Sequence, residues 1–122
     1  MAINTEEEAI ELASKPHLIL TSEDCNTVIG YLNAYIAHLD LEEWQLELDS
    51  NNHRVLLLQQ EGKSIPLKEA EWKISEPYRK WRETQLEVRK FRNYRNALRK
   101  REDQLLFKEK LNKPYINKSY LG

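Results

Sequence analysis

Residues 40–59, DLEEWQLELDSNNHRVLLLQ, decide the fold. Two periodicities compete in them. Leu41, Trp44, Leu48, Val55 and Leu58 keep a heptad, with Asn51 at the position that completes it, which is the pattern of a helical seam. Asp40 would cap that helix and Glu43 would close a capping box. Against this, Trp44 to Leu48 alternates with period two, Ser50 to His53 suits a turn, and Arg54 to Gln59 reads as a return strand, giving a β-hairpin over 44–59. The helix is preferred, because the heptad continues through the supposed turn and acids precede it as they do at a helix N-terminus.

Upstream, Cys25, Ile29, Leu32, Ile36 and Leu39 recur at spacings of four and three, one apolar stripe on a helix that starts at Thr21 to Asp24. Gly30, Ala34 and Ala37 form a neighbouring small-residue face that would let another helix approach. At Asp40 the apolar phase changes, and both a continuous helix and a bend there satisfy the pattern. Residues 4–14 read as a short helix capped by Asn4 or Thr5, ended by Lys15-Pro16.

Downstream, Glu61 to Pro66 is the clearest break: Gly62 suits a helix end, and Ser64 and Pro66 suit the start of the next. Leu67, Ile74, Trp81 and Val88 then repeat every seven residues, with Ala70, Phe91, Leu98 and Leu105 at the alternate seam position. Pro77 either kinks this second arm or sits in the first turn of a fresh helix capped by Ser75. The expected fold is all-α: a long antiparallel, coiled-coil-like helical hairpin with a short N-terminal helix and an irregular C-terminal tail. As a single domain over 1–122 it divides into an N-terminal helix and connector (1–21), an acidic arm (22–61), a basic arm (64–108) and a tail (109–122) that docks through Tyr115, Ile116 and Tyr120 or stays mobile.

Composition agrees with narrow seams. Hydrophobic residues make up 40% and charged residues 32%, too apolar for a disordered chain and too polar for a thick globular core. Cys25 is the single cysteine, which excludes an internal disulfide. Its place on the apolar stripe makes it a core residue rather than a nucleophile. No basic leader or apolar span is present, so a cytoplasmic location is expected, in the host cytoplasm if the gene is viral.

No phosphate-cradling glycine loop, nucleophile elbow, HExxH or paired CxxC occurs, and an enzyme is not expected. No cofactor is expected either. His17, His38 and His53 lack companions at ligand spacing, so no metal site is expected. The informative feature is charge. Residues 1–52 hold eleven acids and one base, Lys15, a balance of −10, whereas the remaining 70 hold eighteen bases and nine acids, a balance of +9. The chain's overall −1 conceals this dipole.

Residues 77–101, PYRKWRETQLEVRKFRNYRNALRKR, concentrate it: ten Lys and Arg against two Glu. Arg82, Arg89, Arg92 and Arg99 fall on one side of the seam with Arg95 close by and Lys100 adjoining, a stripe about 26 Å long at 1.5 Å per residue. Arginine forks match phosphate oxygens, and each neutralised phosphate releases condensed counterions. Trp81 and Phe91 lie on the seam as core residues, while Tyr78 and Tyr94 lie off it and are the candidates to stack on bases.

The order of elements resembles the small helical proteins of phage recombination clusters and, more loosely, the UvsY type of recombination mediator. The likeness covers residues 30–106: an acidic helix containing YLNAYIAHLDLEEWQLEL, a loop at Gly62-Lys63, and the basic helix AEWKISEPYRKWRETQLEVRKFRNYRNALRKRED. It implies single-stranded DNA binding, self-association and loading of a recombinase onto strands covered by a single-strand-binding protein. Two functions therefore stand as expectations. One is a non-enzymatic single-stranded nucleic-acid-binding protein acting through the basic face, with a homo-oligomer as its form. The other is a structural or adaptor coiled coil, or a protein inhibitor, whose acidic and basic halves pair in an oligomer or grip another protein.

Overall fold

The computed structural model describes residues 2–112, and the expected contacts of Tyr115, Ile116 and Tyr120 lie outside them. Four α-helices and one short 3-10 turn account for nearly all of it: α1 (Glu6–Ala13), the turn Pro16–Leu18, α2 (Ser22–Leu58), α3 (Ile65–Lys73) and α4 (Glu76–Leu111). No strand occurs among the described residues, so the β-hairpin alternative is not realised. α2 and α4 pack against each other as an all-α helical hairpin. No described helix is long and apolar enough to cross a membrane.

The chain forms two compact units. Among the described residues the first combines 2–35 with 91–112. Here α1 starts at Thr5, whose hydroxyl accepts from the Glu8 N–H at 3.2 Å, while the Glu8 carboxylate accepts from the Asn4 N–H at 3.0 Å. It stops because Pro16 forces Lys15 out of helical geometry, to φ −131° and ψ 58°. α2 is capped twice. Thr21 Oγ1 accepts from the Asp24 N–H at 3.1 Å, and the carboxylate of Glu109, from the last turns of α4, accepts from Ser22 N at 3.0 Å and Ser22 Oγ at 2.5 Å. A carboxylate there also meets the positive end of the helix dipole. The pairing runs antiparallel, since Asn33 meets Arg95 and Tyr35 packs edge-on against Phe91 at 4.9 Å. Cys25, Val28, Leu32 and Leu98 are fully buried between these elements, and such a leucine contributes roughly 1.5–3 kcal/mol.

The second unit is Ile36–Lys90. Gly62, at φ +84°, turns the chain after α2, and the Ser64 hydroxyl caps α3 by accepting from Leu67 N at 3.4 Å with Pro66 in the first turn. The ammonium of the buried Lys68 donates to the Leu58 carbonyl at 3.0 Å, closing the C-terminal end of α2. Trp72 is buried and donates its indole N–H to both Ser50 O (2.9 Å) and Ser50 Oγ (3.0 Å). Arg54 stacks over that indole at 4.9 Å and pairs with Glu69 at 2.8 Å. Of the two readings of Pro77, the fresh helix is the one realised. α3 ends at Lys73, Ser75 Oγ donates to Trp72 O at 2.6 Å and accepts from Tyr78 N at 3.5 Å, and α4 begins at Glu76.

Several expected seam positions are not where the heptads put them. α2 has no new N-terminus at Asp40, so Asp40 and Glu43 do not cap a second helix. The buried line of the first half simply continues as Leu39, Glu43, Leu46, Ser50, His53 and Leu57, none of them exposed. Leu41, Trp44, Leu48, Val55 and Leu58 lie roughly 150° round the helix from it and are all exposed. Gly30, Ala34 and Ala37 share that outer side, and nothing lies within 4 Å of a Cβ built on Gly30, so no helix approaches there. On the second arm the break at Ser75 resets the phase: Val88, Phe91, Leu98 and Leu105 are buried as expected, but Leu67, Ala70 and Ile74 are exposed, and α3 packs through Lys68 and Trp72 instead. Helix persists to Leu111, past the expected start of the tail.

Substitution of one residue from each class tests this register. Leu98→Ala is expected to destabilise the fold by about 2–5 kcal/mol, whereas Ile74→Ala, although expected on the same seam, should change stability by no more than about 0.5 kcal/mol; urea unfolding midpoints followed by circular dichroism check both.

Candidate nucleic-acid interface

The basic residues of α4 differ in what they already hold. In the second unit Arg82 is exposed and its Nη1 donates to Gln85 Oε1 at 2.5 Å, while Arg89 is exposed with no ion pair or hydrogen bond among the described residues. Arg79, Lys80 and Lys90 pair within one turn with Glu83, Glu76 and Glu87, at 3.8, 3.2 and 3.9 Å. Exposed pairs of this kind are worth a few tenths of a kcal/mol and are readily exchanged for another anion. In the first unit Arg92, Arg99 and Lys100 are exposed, and neither Arg99 nor Lys100 is engaged by any described residue.

Arg95 is different. It is half-buried, its Nη1 donates to Asn33 Oδ1 at 3.1 Å, and its Nε is buried without a hydrogen-bond partner among the described residues. The reason is spacing: Phe91, Arg95, Leu98, Glu102, Leu105 and Glu109 follow one another by four and three, so the seam of α4 alternates apolar and charged residues. Arg101 adds a further polar tie, donating from Nε (3.1 Å) and Nη2 (2.9 Å) to the Ile19 carbonyl at the start of α2. Sequence reasoning missed Arg101 because it reads as one more base in the run; the signal that marks it is its position three residues after the buried Leu98 and four before Leu105.

Both tyrosines are half-buried. Tyr78 packs edge-on against Trp72 (4.8 Å, 67°) and Trp81 (5.9 Å, 81°), and Tyr94 edge-on against Phe91 (5.6 Å, 87°). The indole N–H of Trp81 is buried without a partner among the described residues. Their rings thus contribute to packing as well as to the surface.

Elsewhere the chemistry is sparse. His17 and His38 are exposed and His53 is half-buried, and no group of three or more His, Cys, Asp or Glu among the described residues could hold a metal ion. Cys25 is buried, and burial pushes its thiol pKa up; the Arg101 guanidinium pulls it down, while Glu102, Asp24 and Glu109 push it further up. The thiolate is therefore disfavoured, as suits a packing residue. Against this geometry, no family model, no curated protein and no solved structure matches the chain.

The Cys25 thiol makes a signed prediction. Its folded pKa lies above the unfolded value, so the unfolded chain ionises first and folding stability is lost as pH rises past the ordinary thiol value of 9.0. The unfolding midpoint should fall between about pH 8 and pH 10, less so in Cys25→Ala, and a disulfide reagent should label native Cys25 far more slowly than the urea-unfolded thiol. Arg101→Ala is expected to cost about 1–3 kcal/mol by freeing the buried Ile19 carbonyl, whereas Lys100→Ala should change stability by no more than about 0.5 kcal/mol.

Proposed function

We propose that this is a non-enzymatic protein that binds single-stranded nucleic acid through the exposed bases of α4. The observation that carries the reading is that Arg89, Arg99 and Lys100 are exposed and engaged by no described residue, although the chain contains twenty acidic residues that could neutralise them. Arg82 in the second unit and Arg92 in the first are exposed as well. Arg95 contributes as a positioning residue tied to Asn33, and Tyr78 and Tyr94 flank the bases without free ring faces on their packed side. The chemistry is electrostatic: guanidinium forks bridge successive phosphates, and released counterions supply the binding entropy. A cytoplasmic location, a homo-oligomeric form and the recombination-mediator role implied by the UvsY-type resemblance belong to this proposal. A second reading, a structural or adaptor helical protein, is favoured by a separate observation, the exposed apolar line on α2.

Fluorescence anisotropy with a labelled unstructured oligonucleotide tests the reading. Binding is expected near 50 mM salt, with log K falling against log salt at a slope of about −2 to −4, as for three to five phosphates. The triple variant Arg89→Glu, Arg99→Glu, Lys100→Glu should weaken it more than about tenfold without loss of helix signal. No binding at that salt, or an unchanged affinity in the triple variant, sinks the proposal.

A further inference from the structure

The outer face of α2 in the second unit is a heptad that no described residue covers. Leu41 (70% exposed), Trp44 (60%), Leu48 (39%), Val55 (51%) and Leu58 (39%) alternate at spacings of three and four, with Asn51 completing the series. Such a sustained line is what knobs-into-holes packing between helices requires, and solvating it is unfavourable. We infer that this face is the contact between two antiparallel copies of this chain.

The sequence of the line matches itself when reversed. About a two-fold axis between Asp49 and Ser50, Leu41 meets the second copy's Leu58, Trp44 meets its Val55, and Leu48 meets its Asn51. The largest side chain is thus opposite the smallest apolar one, and each layer repeats by symmetry, as a two-fold interface demands. Charge selects the same orientation. Residues 40–49 carry Asp40, Glu42, Glu43, Glu47 and Asp49 and no base, whereas residues 50–59 carry Arg54 and His53 and no acid. A parallel pair would set five acids against five and Trp44 against Trp44. In the antiparallel pair Glu47 flanks the seam close to the second copy's Arg54, which within its own chain holds Glu69 through Nε and Nη2. The partner is a second copy rather than an unrelated helix, because an unrelated helix has no reason to reproduce this reversal.

The inference does not rest on the nucleic-acid reading, and its test uses none. Sedimentation equilibrium of the full chain should show a monomer–dimer equilibrium populated by about 100 μM. Leu48→Glu is exposed in the monomer and should leave helix content unchanged while raising the dimer dissociation constant at least about tenfold, and Glu47→Arg should weaken the dimer in a salt-dependent way. Asn51→Leu should tighten it, since the polar layer becomes apolar. Spin labels on Gln59→Cys in a Cys25→Ser background should lie roughly 28 Å or more apart, the axial offset of nineteen residues, rather than within about 15 Å as in a parallel pair. A chain that stays monomeric at that concentration, a dimer indifferent to Leu48→Glu, or a short label distance would each overturn the inference.

Discussion

The line of side chains from Cys25 to Leu57 keeps a single phase along α2, and both units are built against it. Helical geometry gives that line one narrow face, so a residue is inside or outside by its phase and not by its hydrophobicity. In the first unit the line is Cys25, Ile29 and Leu32, all buried, and α4 lies along it. In the second the same phase carries Glu43, Ser50 and His53 among its apolar members, and Ser50 becomes useful because its carbonyl and hydroxyl together receive the Trp72 indole. A buried indole N–H without such an acceptor would cost about 1–3 kcal/mol.

This explains which parts of the fold could be read in the residues. Four caps were legible because their chemistry is local, while the one expected at Asp40 is not realised: Thr5, Thr21, Ser64 and Ser75 each accept from a backbone N–H three residues on, and Gly62 takes the positive φ that a turn requires. Helix was legible over 40–59 because a heptad through a supposed turn is incompatible with strand alternation. Which side of that helix faces inward was not legible. Leu41, Trp44 and Leu48 form a stronger apolar pattern than Glu43, Leu46 and Ser50, yet the weaker pattern is in phase with Cys25 to Leu39 and is the one covered. Periodicity identifies a face, and only the partner decides whether it is the inner one.

The basic helix divides by the same rule. Arg89, Arg99 and Lys100 fall outside the four-and-three ladder of α4 and are exposed, while Arg95, Glu102 and Glu109 fall on it and are half-buried. Charge counting treats all of these alike. Position on the ladder separates a guanidinium held by Asn33 from one open to an anion, and it also separates Glu109, which caps α2, from acids that merely solvate the surface. The half-buried charged members of the ladder favour one pairing of α4 with α2, since sliding the helices by a turn would leave Arg95 and Glu109 without their acceptor and donors.

The placement of the three tryptophans has an optical consequence. Trp44, Trp72 and Trp81 all lie between Ile36 and Lys90, and the other unit contains tyrosine and phenylalanine but no indole. Intrinsic indole emission therefore reports on one unit alone: Trp72 from a buried site beneath the Arg54 guanidinium, and Trp44 from an exposed one. Far-ultraviolet dichroism reports on both. The coincidence or separation of the two signals during denaturation measures whether the units unfold as one cooperative block or in sequence, without any label being added.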